Sequence, residues 1–348
     1  MKTEQNFEYH NYGLDYLRIF AMISVVWIHI SVYIKVEEMF TKYFSWGGHG
    51  VQIFFALSGY LAFRTYDKIQ KPKIYYKKRI LRILPCYYIG IALMILINHI
   101  ISGGVVDIFG LKWLRYFLGL NTILPSNNYD IWNNLYGYWT MSCFIYFYIM
   151  VPIIAKWVKN LQRAIEFYIM CFGIFVIWKI GINLIFSSVE GIDRLNNCIG
   201  ASPFGMLYNF AVGIIAYWAI KEHKQNIAGC VFLLIAVSGL MVDRNAWTWA
   251  ALSAMAIMLF EAVDLKSKSD MWNRFILKVS NLSMYIYLAH LMSFDICWNI
   301  LNRIDNLSLF RRYFIWTVTS ILCIILIVLI MSAVDKTVKK IMLSKKNM

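Results

Sequence analysis

Arg18 and His29 both lie inside the first apolar stretch of the chain, LDYLRIFAMISVVWIHISVYI, from Leu14 to Ile34. On a helix, eleven residues at about 100° each return to within roughly 20° of one face and climb about 16 Å. A guanidinium near one membrane surface and an imidazole deep inside therefore share one stripe. Arginine at the centre of a membrane helix costs about 2.5–3.5 kcal/mol on insertion scales, so such residues are functional candidates. An imidazole that titrates near neutrality is suited to take and return a proton.

A second basic constellation closes the segment RTYDKIQKPKIYYKKRILRILP, where Arg79 and Arg82 stand on one helical face just before Pro85. Paired guanidiniums offer bidentate donors to phosphate oxygens, so this face suits a phosphate-bearing ligand. Further along, SNLSMYIYLAH places His290 about 21 Å beyond Ile276, a depth close to that of His29. Lys179 and Asn183 share a face of another apolar stretch, and Trp139 opens WTMSCFIYFYIMVP. Together these polar groups suggest a cavity within a helical bundle. Ser58 and Gly59, by contrast, are the small residues that let membrane helices approach closely, and packing accounts for them.

The elements that must position these groups are membrane helices. The chain has 348 residues, 60% hydrophobic and 15% charged, whereas soluble domains carry about 25% charged residues. Ten apolar spans are expected, at roughly 14–34, 46–63, 83–101, 138–155, 164–186, 203–220, 226–242, 246–263, 276–298 and 313–334. The fold class is thus an all-α integral membrane protein of about ten transmembrane helices. Alternate loops hold more than twice the Lys and Arg of the others, which puts both termini in the cytoplasm. The net charge of +15 then reflects topology and anionic lipid, and no nucleic-acid partner is expected. Residues 111–125 are apolar but begin with Lys112 and Arg115 and end at Pro125, and read as an interfacial or re-entrant helix. Residues 1–348 form a single transmembrane domain, with 335–348 as a basic cytoplasmic tail. Asp15 and Arg18 break the start of the first span, so it is not a cleavable signal peptide.

Seven cysteines without a CxxC, and six scattered histidines, point to neither a disulfide framework nor a metal site. Phosphate-loop and dinucleotide fingerprints are absent from the sequence.

Four ordered blocks resemble the membrane acyltransferase-3 family. They are LDYLRIFAMISVVWIH (14–29), GVQIFFALSGYL (50–61), KKRILRILPCYY (77–88) and LSMYIYLAH (282–290). One block departs from the family, since WTMSCF puts Cys143 and Phe144 where many members carry glutamates; this resembles the branch acting on surface polysaccharides. The resemblance implies an enzyme that moves an acyl group, most simply acetyl, from cytoplasmic acyl-CoA to a hydroxyl of a surface polysaccharide or glycolipid. It implies His29 as base or as acylated relay, and Arg18, Arg79 and Arg82 as holders of the phosphates of acetyl-CoA. His290, Trp139 and Lys179 would face the acceptor. No metal is expected, and the location would be a bacterial cytoplasmic membrane. A transporter of an envelope glycan or small polar solute is the rival reading, since it too would use ten spans and a polar cavity.

Overall fold

The computed structural model describes residues 10–34, 45–101, 112–120, 137–185, 199–241, 245–263, 265–304 and 308–344. The described residues are helical throughout: α1 (Tyr12–Tyr33), α2 (Gly50–Ile69), α3 (Pro72–Ile101), α4 (Lys112–Phe117), α5 (Trp139–Trp157), α6 (Leu161–Ile185), α7 (Pro203–Lys221), α8 (Gln225–Met241), α9 (Asn245–Ala262), α10 (Asp270–Leu301) and α11 (Leu309–Ser344). Seven of these, α1, α3, α5, α6, α7, α10 and α11, are long and apolar enough to cross a membrane; α8 and α9 are shorter apolar helices. The chain is therefore an all-helical, multi-pass membrane protein.

Local sequence sets the helix starts. The Asn11 side chain accepts the Leu14 amide at α1, Ser202 accepts the Gly205 amide ahead of Pro203 at α7, and Ser269 accepts the Trp272 amide at α10. Each satisfies one of the amides that a helix leaves without an internal partner.

At the centre lies α7, buried at every residue from Leu207 to Ala219. A helix apolar on all sides belongs inside a bundle. It crosses α2 at close range. A Cβ on Gly213 would come within 1.8 Å of the Ala56 carbonyl oxygen, and one on Gly59 within 2.1 Å of the Phe210 carbonyl oxygen. Gly59 is thus a packing residue, as expected from its type, while its neighbour Ser58 lines a cavity. Because the obstacle is backbone, Gly213→Leu forces α2 and α7 apart. Overpacking of this kind costs about 1–3 kcal/mol or more, and should lower the detergent-solubilised melting temperature measurably. An unchanged melting curve would refute the crossing. The outer helices show the opposite pattern: α11 exposes Phe310, Phe314, Ile321, Leu322, Ile325 and Leu329, the apolar face that lipid requires.

Two sequence expectations are modified, and the tail gains detail. The third helix does not begin near Pro85; α3 starts at Pro72 and runs through Pro85, so Arg79 and Arg82 sit within a helix. The proline lacks only its own amide, and one missing bond in a 30-residue helix does not end it. Within 111–125, the described residues are 112–120, of which Lys112–Phe117 form the six-residue α4, about 9 Å long and too short by itself to span. Tyrosine hydroxyls of α3 and α5 tie down its end, Tyr87 to the Tyr116 carbonyl at 2.6 Å, Tyr88 to that of Phe117 at 2.9 Å, and Tyr146 to that of Leu118 at 3.3 Å. The basic tail continues α11 as far as Ser344, with Asp335 buried against the Tyr285 hydroxyl at 2.5 Å and Lys339 at 2.6 Å. Cys198 and residues 102–111, 121–136 and 186–198 lie outside the described residues.

Candidate active site

Helices α1 and α10 pack along their length, and their polar residues meet in rungs. Near the start, Arg18 Nη1 donates to Ser280 Oγ at 2.8 Å and lies 3.3 Å from Asp15 Oδ1. Ser280 Oγ donates in turn to Asp15 Oδ1 at 2.5 Å. Asp15 is buried and also faces His10 Nε2 at 2.5 Å, so the carboxylate is enclosed on three sides. Farther along, the rings of His29 and His290 stand 5.1 Å apart between centroids. One turn beyond, the Tyr33 hydroxyl donates to the Asp295 carboxylate. Partners rise together along both helices, from Tyr16 with Trp272 to Tyr33 with Asp295, so α1 and α10 run parallel. The unbroken α1 keeps the stripe expected from the sequence, with the histidine rung about 16 Å from the arginine rung.

The histidine rung has a defined proton arrangement. His290 is fully buried, and its Nδ1 lies 2.6 Å from the Tyr287 carbonyl oxygen. A carbonyl only accepts, so Nδ1 holds the proton and donates, leaving Nε2 as a bare lone pair. That Nε2 is buried without a hydrogen-bond partner among the described residues. A buried acceptor without a partner is costly, which marks it as a place to seek function.

Two cavities converge on the arginine rung. The outer one holds about 410 Å³ and is lined by Asp15, Arg64, Lys68 and Lys78 among others. A narrower inner one holds about 90 Å³ between Val51, Phe54, Leu57, Phe144, Met284 and Tyr287, with Ser58, Thr140 and Ser283 as its neutral polar groups. Arg18, Leu61, Arg79 and Arg82 line both, so the two cavities adjoin at this level, the neck of the site. The three guanidiniums are held differently. Arg79 is buried, donates to the Leu61 carbonyl at 3.0 Å, and lies over the Tyr148 ring at 4.8 Å and the Tyr75 ring at 5.3 Å. Its Nε has no partner among the described residues. Arg18 is tied to Asp15 and Ser280. Arg82, among the described residues, makes no hydrogen bond or ion pair and presents its charge to the neck. At the far end of the inner cavity, the Tyr287 ring lies 5.8 Å from Phe54 and 5.7 Å from His290, with its hydroxyl on the Gly137 carbonyl at 3.2 Å. Neither histidine lines the cavity; Tyr287, which does, is in ring contact with His290.

The structure thus brings together Arg18, Arg79 and Arg82 at one level, and His29 and His290 at another. Lys179 is not part of this arrangement. Its helix packs chiefly on α7, Asn183 donates to the Lys179 carbonyl at 2.9 Å on an exposed face, and Lys179 lines neither cavity. A shared polar face on a helix can point outward as well as inward, and here it points outward. Trp139 lies at the start of α5 with its ring 5.9 Å from Phe55, beside Thr140 and Met141, which do line the inner cavity. Sequence reasoning missed Asp295, although a carboxylate five residues beyond His290 in an apolar span is itself a signal. It also missed Ser280, Arg64, Lys68 and Lys78 as site residues. Arg64 pairs with Glu261 at 2.9 and 3.1 Å, a contact between residues 197 apart that no local pattern announces.

The described residues form a bundle of apolar helices that holds three arginines around two cavities and, farther along the α1–α10 seam, a half-buried His29 beside the buried His290. The acyltransferase-3 family, described as an acyltransferase domain, matches residues 11–334, and the chain belongs to that family. It is a membrane O-acyltransferase. Nodulation protein 10 of Rhizobium leguminosarum bv. viciae is 22% identical over 316 residues, covering 81% of this chain and 83% of its own. A protein of Acidianus two-tailed virus whose name suggests an acetyltransferase is 28% identical over 140 residues, 40% of this chain and 39% of its own. No solved structure matches the chain.

Proposed function

We propose that the enzyme transfers an acyl group, most simply acetyl, from cytoplasmic acyl-CoA to a hydroxyl of a surface polysaccharide or glycolipid. The observation that carries this reading is that the two cavities share the three arginines Arg18, Arg79 and Arg82 in their linings. A nucleotide needs the broad, cationic outer space, and a thin pantetheine arm needs the narrow, apolar inner one. The diphosphate would rest on Arg18, Arg79 and Arg82. The arm would then point its thioester along the seam toward the histidine rung, about 16 Å away by helix rise. In this reading both termini and the outer cavity face the cytoplasm, and the three helices not apolar enough alone, α2, α8 and α9, complete ten spans.

His29 acts as general base. It takes the proton of the acceptor hydroxyl as the oxygen attacks the thioester carbonyl; the C–S bond breaks, and the proton returns to the leaving thiolate to give CoA thiol and an ester. His290, with its proton on Nδ1, packs its ring 5.1 Å from that of His29 and so limits how the His29 ring can turn. Tyr287 must shift for the thioester to reach the imidazoles. The branch resemblance at Cys143 and Phe144 favours a polysaccharide acceptor.

Removing the gene from the producing cell tests the acceptor. Mild base should release acetate from the surface glycan of the parent and not from that of the deletion strain. Equal release from both would refute a surface-glycan acceptor.

A further inference from the structure

The outer cavity carries more positive charge than a diphosphate requires. Beyond the neck, α2 contributes Arg64 and Lys68, four apart on one face, and α3 contributes Lys78, four before Arg82. All line the same space. Arg64 is neutralised by Glu261, and Asp15 is committed to Arg18 and Ser280. Lys78 makes no ion pair or hydrogen bond among the described residues. The rim is also displaced from the neck: Lys68 lies about 10 Å down α2 from Leu61, the residue common to both cavities. One cationic group at the neck and a second at the mouth match a ligand with two separated anionic groups.

We propose that the mouth of this cavity, through Lys68 and Lys78, binds a phosphomonoester, the 3′-phosphate on the ribose of CoA, separately from the diphosphate at the neck. The inference rests on the acyl-CoA reading and sharpens it. The enzyme selects CoA thioesters over the same thioesters on dephospho-CoA or on pantetheine. A phosphomonoester at neutral pH carries close to two charges, and ammonium groups at a water-filled mouth meet it as point charges. The preference therefore falls as salt rises.

The test is equilibrium binding of CoA and of 3′-dephospho-CoA to the purified, detergent-solubilised protein, compared with a Lys68→Gln/Lys78→Gln variant. Both lysines are exposed, and an unchanged melting curve of the variant checks that it retains the fold. The wild type should prefer CoA by about tenfold or more, the scale of charge-assisted contacts to one phosphate. In the variant the preference should collapse toward unity, through weaker CoA binding and unchanged dephospho-CoA binding. Equal wild-type affinity for the two nucleotides would overturn the inference, as would a variant that weakens both alike. If neither nucleotide binds, the acyl-CoA reading itself fails and the inference falls with it.

Discussion

His29→Ala should lower acyl transfer by about 10²–10⁴-fold while leaving acyl-CoA affinity nearly unchanged, because a general base acts on the reaction and not on donor binding. The imidazole lies a helical distance of about 16 Å from the arginine rung, so its loss does not reach the phosphates. A sugar hydroxyl is a weak nucleophile until a base takes its proton, and among the described residues His29 and His290 are the two histidines of the seam. His290→Ala should also slow transfer, since it removes the ring that packs against His29. If His29→Ala retains transfer near the wild-type rate, His29 is not the base. If it instead loses donor affinity with a normal maximal rate, the imidazole contacts the donor and the seam has been read in the wrong sense.

The three arginines should separate in a donor titration. Arg82→Ala should raise the KM for acyl-CoA by about 10–100-fold, the loss of charged contacts to one phosphate group, with no change in thermal stability. Nothing in the fold depends on this side chain, which makes no hydrogen bond or ion pair among the described residues. Arg79→Ala should weaken donor binding and stability together, because its guanidinium also caps the Leu61 carbonyl and lies over Tyr148 and Tyr75. Arg18→Ala should damage both more severely, since it strands the buried Asp15 carboxylate against Ser280. Lysine is a poor replacement at all three positions, for it keeps the charge and loses the planar fork. A normal KM in the Arg82 variant would remove the phosphates from the neck.

The parts of this site that were legible in the sequence were those written along single helices. Arg18 and His29 share a stripe because helix geometry is fixed, and α1 keeps that geometry without a break. His290 was expected at the depth of His29, and the two rings meet. The family blocks likewise lie on single helices. What sequence could not supply was the facing of one helix by another. Lys179 and Asn183 form a polar face as plausible as that of Arg18 and His29, but α6 turns it outward. Ser280 is an ordinary serine until α10 sets it against Asp15, and Arg64 is one more basic residue until α9 brings Glu261 to it. The start of α3 is less legible for a different reason: a proline such as Pro85 suggests a helix boundary, whereas packing against α11 and the neighbouring helices outweighs one missing backbone bond.

The central claim, acyl transfer from a CoA thioester through this bundle, is tested most directly by reconstituting the purified protein in liposomes with radiolabelled acetyl-CoA and a glycan-bearing membrane extract. The account predicts release of free CoA thiol and label in a base-labile ester on the glycan, both lost in the His29→Ala protein. Label in neither glycan nor protein, with no thiol released, would contradict it.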